Sequence, residues 1–154
     1  MKSNLFVKLA ILAAVLSGCS ALTGEEVARF PINEASSENN LIAKEATLDL
    51  KKGDEIVFWS EMDIEYEGNV EFQFRVQITK DGQAYGGLEI DPLEKNVTLS
   101  EMKTTIANKT NWSFTGRNTK IEIEQDGRYG FKAALMTSEN PTLKIEKAEL
   151  IIKK

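Results

Sequence analysis

The segment Val70–Ile78, with the sequence VEFQFRVQI, decides the fold class. Its apolar residues alternate strictly with polar ones over all nine positions. Because successive side chains of a β-strand point to opposite faces, this pattern predicts a strand with one face in a core and the other in water. We therefore expect one set of residues to be buried together: Val70, Phe72, Phe74, Val76 and Ile78.

Similar alternation recurs along the chain, whereas helical periodicity is rare after residue 26. The segment Lys80–Gln83, KDGQ, is typical of a turn after the first strand. Eight further strands are predicted at residues 27–32, 46–50, 55–60, 104–107, 112–115, 120–125, 128–137 and 142–153, and residues 88–90 are the candidate for a ninth. Eight or nine short strands separated by turns indicate an all-β protein, an antiparallel β-sandwich.

Four finer predictions follow from the same alternation. Ile56–Trp59 is apolar on both faces and predicts a central strand. Core parity predicts a hairpin whose loop is Gln125–Gly127, with Gly127 left-handed. The apolar parity of the last strand changes near Glu146, which predicts a β-bulge. Two polar stretches, residues 33–40 and 94–111, are predicted to be loops.

Composition excludes several functions. The 154-residue chain has no histidine, so Ser-His-Asp, Cys-His and zinc-type sites cannot form. Without residues 1–18, 17 basic and 24 acidic side chains remain, a formal charge of −7. Nucleic acid is therefore not an expected partner, because phosphate binding needs a basic surface. We expect one domain over residues 27–154, without disulfides because Cys19 is the only cysteine.

The N-terminus has the layout of an export signal over residues 1–18. Lys2 and Lys8 precede an apolar run, Leu9–Leu16, and two small residues stand before Cys19. The run is far shorter than the roughly 20 residues that a membrane-spanning helix needs. A cleaved signal peptide is therefore expected, with an ordinary secretory signal and a free cysteine as the alternative.

The segment Leu16–Cys19, LSGC, resembles the lipobox of bacterial lipoproteins. That resemblance implies cleavage before Cys19, acyl chains on its thiol and a short tether over residues 19–26. It also implies a cell-envelope location, anchored to a membrane through lipid. Ser20 follows in place of an aspartate, which by the same resemblance favours the outer membrane if the host has two membranes.

The mature segment is similar to extracytoplasmic jelly-roll modules, carbohydrate-binding modules and GOLD-type domains among them. The resemblance rests on Leu48–Asp54, LDLKKGD, before an apolar strand, and on Asp126–Phe131, DGRYGF. It implies a jelly-roll-like sandwich over residues 27–153. It carries no binding residue, because many sandwiches share these turns.

Four carboxylates alternate along one face of an extended segment: Glu61, Asp63, Glu65 and Glu67. Such a face is most simply a solvated strand face. It is also a candidate calcium site or a dock for a basic partner. A carboxylate pair there would allow a third alternative, an envelope hydrolase that cleaves glycosidic bonds.

Four aromatic residues are not readily assigned to the core and are candidate ligand-binding residues: Trp59, Tyr66, Tyr85 and Trp112. Exposed aromatic rings can stack on sugars, although packing is the simpler role for each. We expect no catalysis and no resident cofactor. The leading prediction is a lipid-anchored binding or assembly module for protein or envelope partners, and the alternative is a glycan-binding module.

Overall fold

A computed structural model describes residues 23–154 of the chain. The predicted signal peptide and Cys19 lie outside these residues. Between residues 23 and 154, no helix is long and apolar enough to cross a bilayer.

Nine strands form two antiparallel sheets, so the described chain is an all-β sandwich as predicted. Sheet A has the strand order β1-β9-β3-β7-β6, and sheet B has the order β2-β8-β4-β5. Without β6, this is the strand order of a jelly roll. The first four strands alternate between sheet A and sheet B. The strands are β1 (Glu26–Pro31), β2 (Ala43–Leu50), β3 (Glu55–Glu67), β4 (Phe72–Lys80), β5 (Gln83–Ile90), β6 (Val97–Ile106), β7 (Lys109–Glu122), β8 (Gly127–Thr137) and β9 (Lys144–Lys153).

The core lies between the sheets, and β4 supplies one full face of it. Phe72, Phe74, Val76 and Ile78 are all buried, while Val70 precedes the strand and is only partly buried. Phe58 of sheet A meets Phe131 of sheet B edge to face, with ring centroids 6.3 Å apart. The alternation therefore identified the buried face of β4 correctly.

β3 is the central strand of sheet A, as its two apolar faces predicted, and it pairs with both β7 and β9. Phe58 faces the core, while Trp59 on the outer face is only 3% exposed. Ile151 lies opposite Trp59 on β9 and is also buried. The Lys153 ammonium lies 4.7 Å from the centre of the indole. An apolar neighbour, Ile151, and a cationic one, Lys153, thus lie beside Trp59 on the outer face.

The predicted irregularity in β9 and the predicted turn after β4 are both confirmed. Asp63 pairs with Lys147 but Ile64 pairs with Ile145, so one residue of β9 is left over at the bulge. Asp81 and Gly82 have φ values of 51° and 81°, and they form a two-residue turn between β4 and β5.

Two predictions about the second half of the chain are wrong. The segment 125–127 is not a hairpin loop, because β7 belongs to sheet A and β8 to sheet B, and Gly127 does not have a positive φ. The polar stretch 94–111 is not a loop, since it contains all of β6 and the first residues of β7. The predicted strand 112–115 and the first three residues of the predicted strand 120–125 belong to one strand, β7, which ends at Glu122.

Candidate functional site

The four alternating carboxylates of β3 lie on the outer face of sheet A, away from the core. Cations from three other strands of sheet A, β1, β7 and β9, form ion pairs with two of these carboxylates. Glu61 lies 2.8 Å from the Lys147 ammonium and 3.1 Å from the Arg29 guanidinium. Arg29 also contacts Glu26 and Glu149.

Glu65 has the same kind of environment, with Lys109 at 3.0 Å and Lys144 at 3.1 Å. These ion pairs hold the pKa of both carboxyls below the ordinary value, through Lys147 first for Glu61 and Lys109 first for Glu65. Both groups therefore stay ionised at neutral pH.

The remaining two carboxylates of the row, on Asp63 and Glu67, are exposed and form no ion pair within the described chain. No three histidine, cysteine, aspartate or glutamate side chains among residues 23–154 come close enough to hold a metal ion. The row is therefore an ionic ladder between strands, with a depression of about 280 Å³ beside Glu65, Tyr66 and Glu67.

The four candidate aromatic residues do not form one surface. Trp59 is buried on the outer face of sheet A, and its indole N–H has no partner among the described residues. Tyr66 faces the core, where it meets Phe72 edge to face and burial raises the pKa of its hydroxyl. Tyr85 lies at a bulge of β5 in sheet B and is 45% exposed.

Trp112 lies on β7, next to the edge strand β6 of sheet A, and it is half-buried. Its indole N–H donates to Glu101 Oε1 at 2.7 Å, and the Lys103 ammonium lies 3.7 Å from the ring centre. The Lys95 ammonium bonds the same oxygen at 2.9 Å and lies over the Phe114 ring at 3.9 Å. Trp112 is thus part of a charged cluster with Lys95, Glu101 and Lys103.

Two adjoining depressions, of about 210 and 180 Å³, lie on the outer face of sheet B. They share Gln77 and Lys132, and Gly130 and Ala134 of β8 lie within them. None of the four candidate aromatic residues lines either depression. The lining has amide, hydroxyl and charged groups, and its one aromatic residue, Phe131, is buried in the core, so it offers no exposed ring on which a sugar could stack.

The surface that sequence reasoning missed is β6. Every one of its ten residues is exposed, and among residues 23–154 it pairs only with β7, so its other edge is left open by the described chain. Four of the six large hydrophobic residues that are exposed in the described chain lie on this strand: Val97, Leu99, Met102 and Ile106. The Thr and apolar residues of TLSEMKTTI favour a strand, but apolar and polar residues do not alternate regularly along this segment.

No protein-family model matches the chain, and no curated protein is similar enough to it to count as a relative.

Proposed function

We propose that this protein is a lipid-anchored, non-catalytic module of the bacterial cell envelope that binds a protein partner through the open edge of β6. The observation that carries the proposal is the combination of an open ten-residue edge with four exposed apolar side chains. Unpaired N–H and C=O groups along such an edge are a template for another strand.

The other three sheet edges have features that block strand addition, and β6 has few. β1 has six residues, two of them charged, and ends at Pro31. β2 has three charged residues in eight, and β5 is bulged at Tyr85 and contains two glycines. β6 has no proline, only two charged residues, of opposite sign, and one bulge, at Leu99, which leaves residues 100–106 regular. Charges, proline and bulges are the usual means of protecting an edge, so the nearly unprotected one is the best candidate interface.

The absence of catalysis in this proposal rests on the available acids and bases. The chain has no histidine, and a carboxyl must have a raised pKa to donate a proton near neutral pH. Glu61 and Glu65 have lowered pKa values because they are ion-paired. The paired carboxylates of the β3 row are thus poorly suited to the acid step of a glycosidase.

Anchoring depends on Cys19 and is supported by the resemblance of residues 16–19 to a lipobox. Two or more acyl chains hold a protein stably to a membrane, whereas one chain does not. Metabolic labelling with a fatty acid should mark the protein, and the labelled protein should partition into the detergent phase. Label that persists in a Cys19→Ala variant would overturn the anchoring proposal.

Binding through β6 is tested by placing a photo-crosslinking amino acid at position 102 in the full chain, in living cells. Position 47, exposed on the edge strand β2, is the matched control. We expect an adduct from position 102 and none from position 47. Mass spectrometry of the adduct from position 102 should identify a single protein partner. No adduct at 102, or equal adducts at both positions, would overturn the use of this edge.

A glycan partner is the alternative. The candidate aromatic residues lie on separate surfaces, and Trp112 is already covered by Lys103 on one side. Tryptophan fluorescence during titration with envelope and plant polysaccharides separates the two proposals. Saturable quenching that Trp112→Ala abolishes, while the fold is kept, would favour the glycan module.

A further inference from the structure

The regular part of β6 is its second half, where residues 100–106 pair with β7 without a bulge. Its open edge could accept a strand from another protein or from a second copy of this chain. A second copy related by a two-fold axis must pair antiparallel, with one residue opposite itself. Each choice of that central residue places the two charged side chains of β6 opposite different neighbours.

Charge limits the choice of register. An axis at Glu101 places two glutamates opposite each other, and an axis at Lys103 does the same for two lysines, which is destabilising. An axis at Thr104 leaves both charges opposite uncharged residues. An axis at Met102 places each Glu101 opposite the other copy's Lys103. Only this last register makes the strand complementary to itself.

We infer that β6 pairs with β6 of a second copy about a two-fold axis at Met102, and that sheet A becomes one continuous ten-stranded sheet in the dimer. The inference rests on the proposed function, because it names the partner of the same edge. In this dimer Ser100 lies opposite Thr104 of the second copy, and the two Met102 side chains contact each other.

Glu101 and Lys103, which would meet across the interface, each keep a charged group available for a new ion pair. Glu101 uses only Oε1 for Lys95 and Trp112, so Oε2 has no partner among the described residues. The Lys103 ammonium lies over an indole ring and forms no ion pair with a carboxylate of residues 23–154. A symmetric pair of Glu101–Lys103 contacts would satisfy both groups.

Met102 supplies the apolar centre of the interface. Its side chain is 72% exposed and points from the opposite face of the sheet to Glu101 and Lys103. Methionine adapts readily to a flat apolar contact because its side chain is unbranched and flexible. The two-fold contact would remove both Met102 side chains from water, which favours association.

Cysteine crosslinking of the full chain in detergent tests the register. Directly opposed residues have Cβ atoms about 4.5–5.5 Å apart, close to the disulfide range. Met102→Cys should therefore form a disulfide-linked dimer on mild oxidation. Thr104→Cys is the control, because in this register its two copies lie about 13 Å apart. Mixing Thr104→Cys with Ser100→Cys should restore the crosslink. The parent chain, oxidised in parallel, shows any contribution from Cys19.

Charge reversal, with its rescue in a mixture of the two variants, separates recognition from folding. Glu101→Lys places two pairs of lysines in the interface, and Lys103→Glu places two pairs of glutamates there. Each variant alone should self-associate roughly tenfold more weakly than the parent chain, or more weakly still. An equimolar mixture should form a heterodimer, because all its cross-strand pairs are again attractive. Sedimentation equilibrium in density-matched detergent measures both.

The outcomes separate this inference from the proposed function. A crosslink from Thr104→Cys alone, a mixture that stays monomeric, or a parent chain that is monomeric up to about 1 mM would overturn the self-pairing. If residue 102 then captures one different, identified protein in cells, the edge is an interface for that protein and only this inference fails. If residue 102 captures nothing, the proposed function fails as well.

Discussion

Phe74 is the residue through which the fold can be tested most directly. It has no exposed surface and lies in the middle of β4. Phe74→Ala should lower the free energy of unfolding by about 3–5 kcal/mol, because truncating a buried Phe loses transfer energy and leaves a cavity. Gln77→Ala, on the solvent face of the same strand, is the control and should change it by less than about 0.5 kcal/mol. Denaturant unfolding measures both, and a loss below about 1 kcal/mol for Phe74→Ala would contradict the assigned face.

Glu61 makes stability depend on pH. Its pKa is below the ordinary value of 4.5 in the folded protein, first because Lys147 donates a hydrogen bond to it and then because of Arg29. A lowered folded pKa means that the stabilisation is complete above the unfolded pKa and is lost as pH falls through the folded one. Glu61→Gln should therefore lower stability at neutral pH and weaken its fall below pH 4.5.

The control for Glu61 is Asp63→Asn, which removes a carboxylate from the same face without removing an ion pair of the described chain. Unfolding at a series of pH values compares the two variants with the parent. Identical pH curves for Glu61→Gln and the parent would show that the ion pairs with Lys147 and Arg29 contribute nothing to folding.

At the scale of single residues, the sequence predicted burial well where one face met a core, as for Phe72 to Ile78. It could not predict which cations would lie beside the carboxylates of β3. Lys109 and Lys147 are distant from Glu65 and Glu61 in sequence, and only the order β9-β3-β7 brings them together. The same order explains why Trp59 is buried on an outer face.

Among the elements, β6 shows where alternation fails as a predictor. A strand produces alternating burial only if one of its faces is covered, and neither face of β6 is. Its sequence therefore resembles a polar loop, although it pairs with β7 along almost its whole length. The uncovered faces of β6 therefore explain both why the sequence did not predict this interface and why the interface is accessible.

The error at Gln125–Gly127 has a different cause. Ile123, Tyr129 and Phe131 are all buried, so the expectation that both strands contribute to one core was right. A hairpin within one sheet and a crossing from sheet A to sheet B both satisfy that parity. Pairing partners distant in sequence decided between them: β3 pairs with β7, and β2 and β4 pair with β8.

The turn between β6 and β7 gives an element-scale prediction. Ala107 has a φ of 55°, a left-handed conformation that costs an L-residue about 1–2 kcal/mol. Ala107→Gly should relieve this strain and stabilise the protein by about 0.5–1 kcal/mol, after the larger unfolded-state entropy of glycine is deducted. Thermal unfolding measures the change.

The matched control for the turn is Ala84→Gly, an exposed position of β5 without a positive φ. There the same substitution should destabilise the protein by about 0.5–1 kcal/mol, since glycine within a strand only adds entropy to the unfolded chain. Opposite signs at the two positions identify the backbone conformation as the cause. Destabilisation at both would contradict the strain at Ala107.

At the scale of the whole molecule, the position of the chain termini constrains how the proposed dimer can lie on a membrane. Glu25 and Lys154 exchange two backbone hydrogen bonds, so the predicted tether meets the sandwich beside β1. β1 and β6 are the opposite edges of sheet A. A dimer joined at β6 therefore has its two tethers at the far edges of the ten-stranded sheet, about 43 Å apart at a strand spacing of 4.8 Å.

The two-fold axis of antiparallel strand pairing is perpendicular to the sheet. If acyl chains on both copies of Cys19 enter the same membrane and the dimer keeps its symmetry there, that axis is also perpendicular to the membrane, because it exchanges the two anchors. The faces of the sandwich then lie parallel to the bilayer. A lipid-anchored monomer has no such constraint, since it has one anchor and no symmetry axis.

This orientation predicts the thickness of the protein layer. Two sheets about 10 Å apart, with their outer side chains, make a layer of about 25 Å. An upright sandwich, with the 13 residues of β3 along the membrane normal, would measure about 43 Å. Neutron reflectometry of the lipidated full chain on a supported bilayer should give the smaller value. Met102→Lys, which places two ammonium groups at the two-fold axis, should thicken the layer. A thick layer for the parent chain, unchanged by Met102→Lys, would contradict the anchored dimer while leaving the sandwich and its lipid anchor in place.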